Sequence, residues 1–148
     1  MEAQEDYKEL LRLLNAHKVE FVIVGGYALA RHGAPRATGD LDILVRMSDQ
    51  NAGRIMQALV EFGFESPDLS AADFKEPDRV IQLGMPPVRV DFVTTLTGVS
   101  WDEASEGKVD GKYGDVPVFF LGRDQLVANK RALGRKRDLA DLEALGEA

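Results

Sequence analysis

Two aspartates lie two positions apart at the start of an apolar run, in the segment ATGDLDILV at residues 37–45. Asp40 and Asp42 occupy positions where Leu or Val would pack better in a buried strand. Side chains alternate between the faces of a β-strand, so both carboxylates leave one face, from Cα atoms ~6.6 Å apart. The alternate residues of the run are apolar and are predicted to face the core. This spacing lets two carboxylates reach one bound cation.

A third aspartate lies within a second apolar run, VRVDFV, at residues 88–93. The same alternation places Asp91 on the face opposite to Val90 and Phe92. If this run pairs with residues 40–46, the two backbones are ~4.8 Å apart. Three carboxylates on one sheet face repel one another unless a cation lies among them. Two divalent ions ~3.5–4 Å apart, held by such acids, are the usual apparatus of phosphoryl and nucleotidyl transfer.

Each aspartate taken alone also has a purely structural explanation. Asp40 follows Gly39 and suits a turn, and Asp42 could lie on the solvated face of a strand. Asp91 could pair with Arg89, which shares its face. The combination of the two paired acids with a third acid on another strand is what indicates a chemical site.

A glycine pair precedes the acids, in the segment VIVGGYALARHG at residues 22–33. The pattern predicts a strand, a turn at Gly25 and Gly26, and a short helix. Free N–H groups at a helix start bind anions, and glycine lets a phosphate approach the backbone closely. A tight turn that needs positive φ explains the glycines equally well, so this motif alone is weak.

The order Gly25-Gly26, Arg36-x-Thr38-x-Asp40-x-Asp42 resembles the core signature of the polymerase-β-type nucleotidyltransferase superfamily. That signature is a Gly-Gly or Gly-Ser turn, a D-x-D or D-x-E pair on the next strand, and a third acid on a later strand. The nearest resemblance is to small bacterial nucleotidyltransferases of the AbiEii-like toxin group. The C-terminal segment NKRALGRKRDLADLEAL is similar to a helical motif of that group that carries lysine and aspartate.

The resemblance implies a metal-dependent enzyme that moves a nucleoside monophosphate from an NTP to a hydroxyl acceptor and releases pyrophosphate. Asp40 and Asp42 would hold Mg²⁺ or Mn²⁺. Asp91 would be the third ligand and would help to activate the acceptor hydroxyl. The acceptor stays open among an RNA, a protein and a small molecule. The toxin group also implies a cognate antitoxin as a partner.

The resemblance further implies nucleotide-binding roles for five residues, which are Gly25, Gly26, Arg36, Thr38 and Lys130. The lysine begins KRALGRKR, which holds five positive charges in eight positions. Such charges near a triphosphate would be attractive, but cations also favour helix C-termini for structural reasons. Asp138 and Asp141 lie on one helical face, and we expect them to order the arginines rather than to bind metal.

The amino-acid composition limits which metals and partners the protein could bind. The 148-residue chain contains no cysteine, so disulfides and thiolate metal sites are excluded. A metal would need oxygen ligands or the two histidines, which favours hard ions such as Mg²⁺ or Mn²⁺. The net charge of −7 gives no overall attraction to nucleic acid or to an anionic membrane. The N-terminal residues lack the order of a signal peptide and no stretch is long enough to span a membrane, so we expect a cytoplasmic protein.

Hydrophobic periodicity predicts the elements that would position these residues. We expect one nucleotidyltransferase domain over residues 1–148, of the α/β (α+β) class, with helices packed on a mixed sheet. Residues 1–121 would form the catalytic sheet core and residues 122–148 the C-terminal helices. The predicted strands are 19–24, 40–46, 79–85, 88–95 and 116–121, and the predicted helices are 5–17, 27–33, 48–63, 123–133 and 135–145. Residues 65–77 are predicted to be irregular, and residues 97–115 to hold a short helix and a small hairpin.

Two other functions fit parts of the pattern. The first is a non-catalytic nucleotide-binding module or toxin–antitoxin partner with the same fold, although such a module has no need of three intact acids. The second is a metal-dependent phosphatase or nuclease. That function accounts for an acid cluster but not for the glycine turn that precedes it.

Overall fold

The computed structural model describes residues 4–35, 39–85 and 88–147 of the chain. These residues form one mixed sheet with helices packed on it, so the predicted α/β fold class is confirmed. In chain order the elements are α1 (Glu5–Ala16), β1 (Phe21–Val24), α2 (Gly25–Arg31), β2 (Asp40–Val45), α3 (Asp49–Phe62), a 3₁₀ turn (Ala71–Phe74), β3 (Val80–Met85), β4 (Val88–Val93), α4 (Trp101–Gly107), β5 (Val109–Tyr113), β6 (Val116–Phe120), α5 (Arg123–Leu133) and α6 (Lys136–Ala144).

The strand order across the sheet is β3-β4-β2-β1-β6-β5. Strand β2 pairs in parallel with β4 and antiparallel with β1. The start of β2 therefore lies between the start of β4 and the end of β1, where the chain turns into α2. This topology brings the predicted acids and the glycine turn together at one end of the central strands.

The central strands are apolar because the sheet is covered on both faces. Every side chain of β1 is buried, as are Leu41, Ile43 and Leu44 of β2. Helix α1 packs on α3 and buries its apolar stripe of Tyr7, Leu10, Leu11 and Leu14, as its helical spacing predicts. Full burial of such a side chain contributes ~1.5–3 kcal/mol, so the core holds the acid-bearing strands in a fixed register.

Several predicted elements differ from the structure. The helix predicted at 27–33 runs from Gly25 to Arg31, and the strand predicted at 88–95 ends at Val93. The hairpin expected within residues 97–115 instead joins β5 to the strand predicted at 116–121, across the turn at Gly114. The segment predicted as irregular contains the 3₁₀ turn, because Ser70 and Asp73 form a capping box and Phe74 is buried. The first strand begins at Phe21 rather than at residue 19.

Some predictions fall on residues outside the described ranges. These include Arg36 and Thr38, because residues 36–38 are not described. Among the helices that the structure does describe, none combines the length and the apolar character that crossing a bilayer requires.

Candidate functional site

Strand register places the three predicted acids side by side. Asp42 pairs with Val24 of β1 on one side and with Asp91 of β4 on the other. Paired residues of neighbouring strands point to the same face, so these two carboxylates project together, with Asp40 two residues earlier on that face. One oxygen from each of the three acids lies within 4.8 Å of the others. The predicted convergence of Asp40, Asp42 and Asp91 is therefore confirmed.

Gly25 lies against this cluster. Its φ is +68°, which disfavours any residue with a side chain, and a Cβ atom here would overlap the Asp42 carboxylate. Both the positive φ and the close approach of Asp42 therefore require glycine at this position. The turn borders the same cleft as the acids, and its contact with a triphosphate remains a prediction.

The Asp42 carboxyl group is hard to ionise in this setting. Its pKa is raised from 3.8 to about 6, first by burial and then by the negative charges of Asp91 and Asp40. The positive charges of Arg89 and Arg137 oppose this shift but do not cancel it. A cation among the three acids would relieve the repulsion.

Arg89 supplies part of the missing positive charge. Its Nη2 atom lies 3.0 Å from Asp40 Oδ2, and its Nε atom lies 3.4 Å from Asp91 Oδ1. The pairing of Asp91 with Arg89, which was the structural explanation for this acid, therefore occurs alongside the cluster. Yet Asp91 Oδ1 and Arg89 Nε are buried and make no hydrogen bond within the described part of the chain. The guanidinium offsets part of the negative charge of the acids but leaves Asp91 Oδ1 without a hydrogen bond among the described residues.

The three carboxylates suit a hard divalent ion. Each offers an oxygen ligand on a rigid strand, and Mg²⁺ and Mn²⁺ prefer oxygen donors. The buried Asp91 Oδ1 has no hydrogen-bond donor among the described residues, which leaves it available to an ion. The predicted ligand set of Asp40, Asp42 and Asp91 thus fits such an ion by its chemistry and its placement.

A cleft of about 460 Å³ opens over the acids. Its wall combines the glycine turn and the acids with residues of the C-terminal segment, and the side chains from that segment are Asn129, Lys130, Leu133, Arg135 and Arg137. A larger groove of about 710 Å³ lies beside β5 and β6, but none of the three acids lines it. The chemistry therefore points to the smaller cleft.

Lys130 is held more tightly than the sequence suggests. Its side chain is 7% exposed, and its Nζ atom lies 2.9 Å from Asp141 Oδ2 and 3.4 Å from Asp138 Oδ1. Asp138 also accepts a hydrogen bond from Arg135 Nε at 2.6 Å, as expected, and this lowers its pKa. The expectation that these acids order arginines holds for Asp138, which binds Arg135, and the structure adds that both acids bind Lys130. Phosphate contact by Lys130 remains a prediction.

Two residues that support the site were not assigned to it from the sequence. Arg89 was considered only as a structural partner of Asp91, although its position on the same face, two residues earlier, is a signal for a role in the site. Tyr7 gave no such signal: its hydroxyl donates to Arg89 O at 2.9 Å and accepts from Arg89 N at 3.2 Å, which ties α1 to the start of β4. The predicted nucleotide-binding residues Arg36 and Thr38 lie outside the described residues.

The raised pKa of Asp42 predicts a pH dependence of stability in the metal-free protein. Between its unfolded value of 3.8 and its folded value of about 6, the folded state binds more protons than the unfolded state. Rising pH should therefore lower the free energy of unfolding across this window, by about 1–3 kcal/mol.

Urea unfolding at pH 4 and pH 8 measures this change, and Asp42→Asn isolates it from other titrating groups. The wild-type protein should lose stability relative to the variant as pH rises, and excess Mg²⁺ at pH 8 should reduce the difference. A difference between the two proteins that stays constant with pH would contradict the assignment.

Comparison with known proteins gives matches among solved structures alone. No protein-family model and no curated protein sequence matches the chain. A candidate nucleotidyltransferase from Thermotoga maritima superposes with a TM-score of 0.64 at 18% identity, over 96% of this chain and 91% of that one. The chain has the nucleotidyltransferase fold.

Two further structures with this nucleotidyltransferase fold are similar to the whole chain. A lincosamide antibiotic adenylyltransferase, solved with lincomycin bound, gives a TM-score of 0.56 at 13% identity over 99% of this chain and 98% of that one. An antigenic nucleotidyltransferase-like protein from Paracoccidioides brasiliensis gives 0.58 at 14% identity, over 99% and 76%. At these identities the likeness extends to the fold, while the AbiEii-like resemblance remains a prediction.

Proposed function

We propose that this protein is a nucleotidyltransferase that moves a nucleoside monophosphate from an NTP to a hydroxyl group. The observation that carries the proposal is the register of β2 and β4, which sets Asp42 beside Asp91 at the glycine turn. A phosphatase or nuclease would use the acids but has no need of a close glycine turn beside them. The fold shared with nucleotidyltransferases supports the same choice.

In the proposed reaction Asp40, Asp42 and Asp91 would hold Mg²⁺ or Mn²⁺. The ion would supply charge neutralisation at the phosphates and the leaving group. The acceptor oxygen forms a bond to the α-phosphorus while the bond between that phosphorus and the α–β bridging oxygen breaks, and pyrophosphate leaves. Asp91 would take the acceptor proton. Most of the rate enhancement would come from positioning and electrostatics rather than covalent chemistry.

The positive side of the cleft would bind the triphosphate. Arg135 and Arg137 line it beside the glycine turn, and Arg137 is close enough to act on the charge of Asp42. We keep Gly25, Gly26 and Lys130 as nucleotide-binding residues, together with Arg36 and Thr38, which precede β2 in the sequence. The acceptor could be an RNA, a protein or a small molecule. The toxin role and a cognate antitoxin stay part of the proposal through the C-terminal motif.

Two separately labelled forms of each NTP test the proposal. The protein is incubated with Mg²⁺ and each NTP, labelled at either the α- or the γ-phosphate, together with total RNA, lysate protein or a small-molecule fraction. Transfer of the α-label to an acceptor, with the γ-label released as pyrophosphate, is the expected result. Transfer of the γ-label, release of inorganic phosphate, or cleavage of the RNA would overturn the proposal. Nucleotide binding without transfer would favour the non-catalytic module.

A further inference from the structure

We propose that Arg89 exchanges partners when the site loads, leaving the acids for the triphosphate and so coupling ion binding to nucleotide binding. This inference rests on the proposed function. It assigns Arg89 a role that depends on which of two charged groups occupies the cleft. In the free protein the guanidinium is the counter-ion of the acids, and in the loaded protein it becomes a counter-ion of the phosphates.

Arg89 contacts carboxylate oxygens of Asp40 and Asp91 that a divalent ion would use as ligands. Its Nη2 atom lies 3.0 Å from Asp40 Oδ2 and 3.4 Å from Asp91 Oδ2, and its Nε atom faces Asp91 Oδ1 at 3.4 Å. The guanidinium thus spans two of the three carboxylates proposed as ligands. An ion held by those oxygens would meet the guanidinium's positive charge at close range, where the two repel strongly. The ion and the guanidinium must therefore compete.

The contact between Arg89 and Asp91 is weak enough to be exchanged for another partner. Arg89 Nε and Asp91 Oδ1 face each other but lack hydrogen-bond geometry, and neither has another hydrogen bond among the described residues. A buried pair that is well satisfied is costly to break, whereas this pair already leaves polar atoms unsatisfied. The Arg89 side chain is 32% exposed and borders the cleft, so solvent-side space is open to it.

The backbone of Arg89 is fixed while its side chain can move. The residue belongs to β4 and pairs with Asp40 of β2 and with Gly84 of β3. The Tyr7 hydroxyl also bonds to both its N–H and its carbonyl group. Movement is therefore confined to the side chain, which keeps Asp91 in register during an exchange.

The triphosphate is the destination that the cleft provides. Arg89 lines the same wall as the glycine turn, Arg135 and Arg137. A guanidinium binds phosphate through two parallel hydrogen bonds, which is better geometry than its contact with Asp91. A bare divalent ion would then displace Arg89 without giving it a new partner. An ion that arrives with a triphosphate would supply that partner, so the two ligands bind best together.

Arg89→Gln tests the exchange, because the exchange predicts that this variant binds a divalent ion more tightly and a triphosphate more weakly. We expect Mn²⁺ alone to bind about tenfold more tightly, since one repelling charge is lost. Tripolyphosphate with saturating Mg²⁺ should bind about tenfold more weakly, since a phosphate partner is lost. Free Mn²⁺ is followed by electron paramagnetic resonance and tripolyphosphate by calorimetry. Tripolyphosphate carries no base, so the unknown base preference does not affect the result.

Arg46→Gln is the matched control. It removes the same charge from an exposed pair with Glu20 at the other end of β2, and both affinities should stay within twofold of wild type. Arg89→Lys keeps the charge but loses the planar fork. It should bind Mn²⁺ like wild type and tripolyphosphate about threefold more weakly, and it carries the test if Arg89→Gln does not fold.

The outcomes separate this inference from the proposed function. If wild type binds both probes and Arg89→Gln shifts both affinities in the same direction, Arg89 has a structural role and the exchange is wrong. Unchanged affinities in Arg89→Gln would also overturn the exchange while the proposed function stands. If neither wild type nor any variant binds Mn²⁺ or tripolyphosphate, the proposed function itself fails.

Discussion

Asp42→Asn is expected to lower the rate of nucleotidyl transfer at least 10³-fold and to leave the fold intact. The amide has the shape of the carboxylate but cannot supply the negative charge that holds a divalent ion. Loss of one such charge-stabilising group costs ~3–4 kcal/mol of transition-state stabilisation or more. The loss should appear in single-turnover transfer of α-labelled phosphate at saturating Mg²⁺ and NTP.

The variant should fold because the charged Asp42 carboxylate is itself destabilised by its surroundings in the wild-type protein. Its raised pKa shows that the charged form is disfavoured by burial and by two neighbouring acids. A neutral amide removes that repulsion, so the metal-free variant at pH 8 should be at least as stable as wild type. A rate loss without a stability loss identifies a functional group rather than a packing residue.

Asp115→Asn is the control for this experiment. Asp115 is also an aspartate with cationic partners, Lys8 and Arg12, but it is 72% exposed on the surface. Its replacement should change the transfer rate by less than twofold. Transfer by Asp42→Asn at a rate within tenfold of wild type would sink the proposed mechanism.

The sequence was sufficient to predict the acids because strand geometry has a fixed period of two. That period alone puts Asp40 and Asp42 on one face, and it puts Asp91 on the face opposite to Val90. The period cannot say which strands are neighbours. Helix α3 and strand β3 separate β2 from β4 along the chain, and only the structure shows that β2 and β4 pair in parallel with Asp42 opposite Asp91.

Contacts that depend on side-chain conformation were not accessible from the sequence. The overlap between Gly25 and Asp42 requires the turn and the strand to be placed to within an ångström. The Tyr7 hydroxyl reaches Arg89 across 82 positions of the chain, and no local pattern marks such a pair. The basic cluster at residues 130–137 looked uniform, yet Lys130 is buried among acids whereas Lys136 is exposed.

That difference predicts a large effect of Lys130 on stability. Lys130→Met is expected to lower the free energy of unfolding by ~3–5 kcal/mol, because it removes the ammonium shared by two buried carboxylates. Asp138 is fully buried and Asp141 is 5% exposed, so neither can be solvated without local opening. Urea unfolding at pH 7 measures the loss. Lys136→Met removes an exposed charge from the same cluster and should change stability by less than ~0.5 kcal/mol.

A compensated variant separates this structural role from the predicted phosphate contact. Lys130→Met combined with Asp138→Asn and Asp141→Asn removes the buried charges together, and most of the lost stability should return. If Lys130 also contacts phosphate, the compensated variant should fold yet bind tripolyphosphate with Mg²⁺ about tenfold more weakly than wild type. Wild-type affinity in that variant would limit Lys130 to holding α5 against α6. Lys130→Met alone within 1 kcal/mol of wild type would contradict the buried ion cluster.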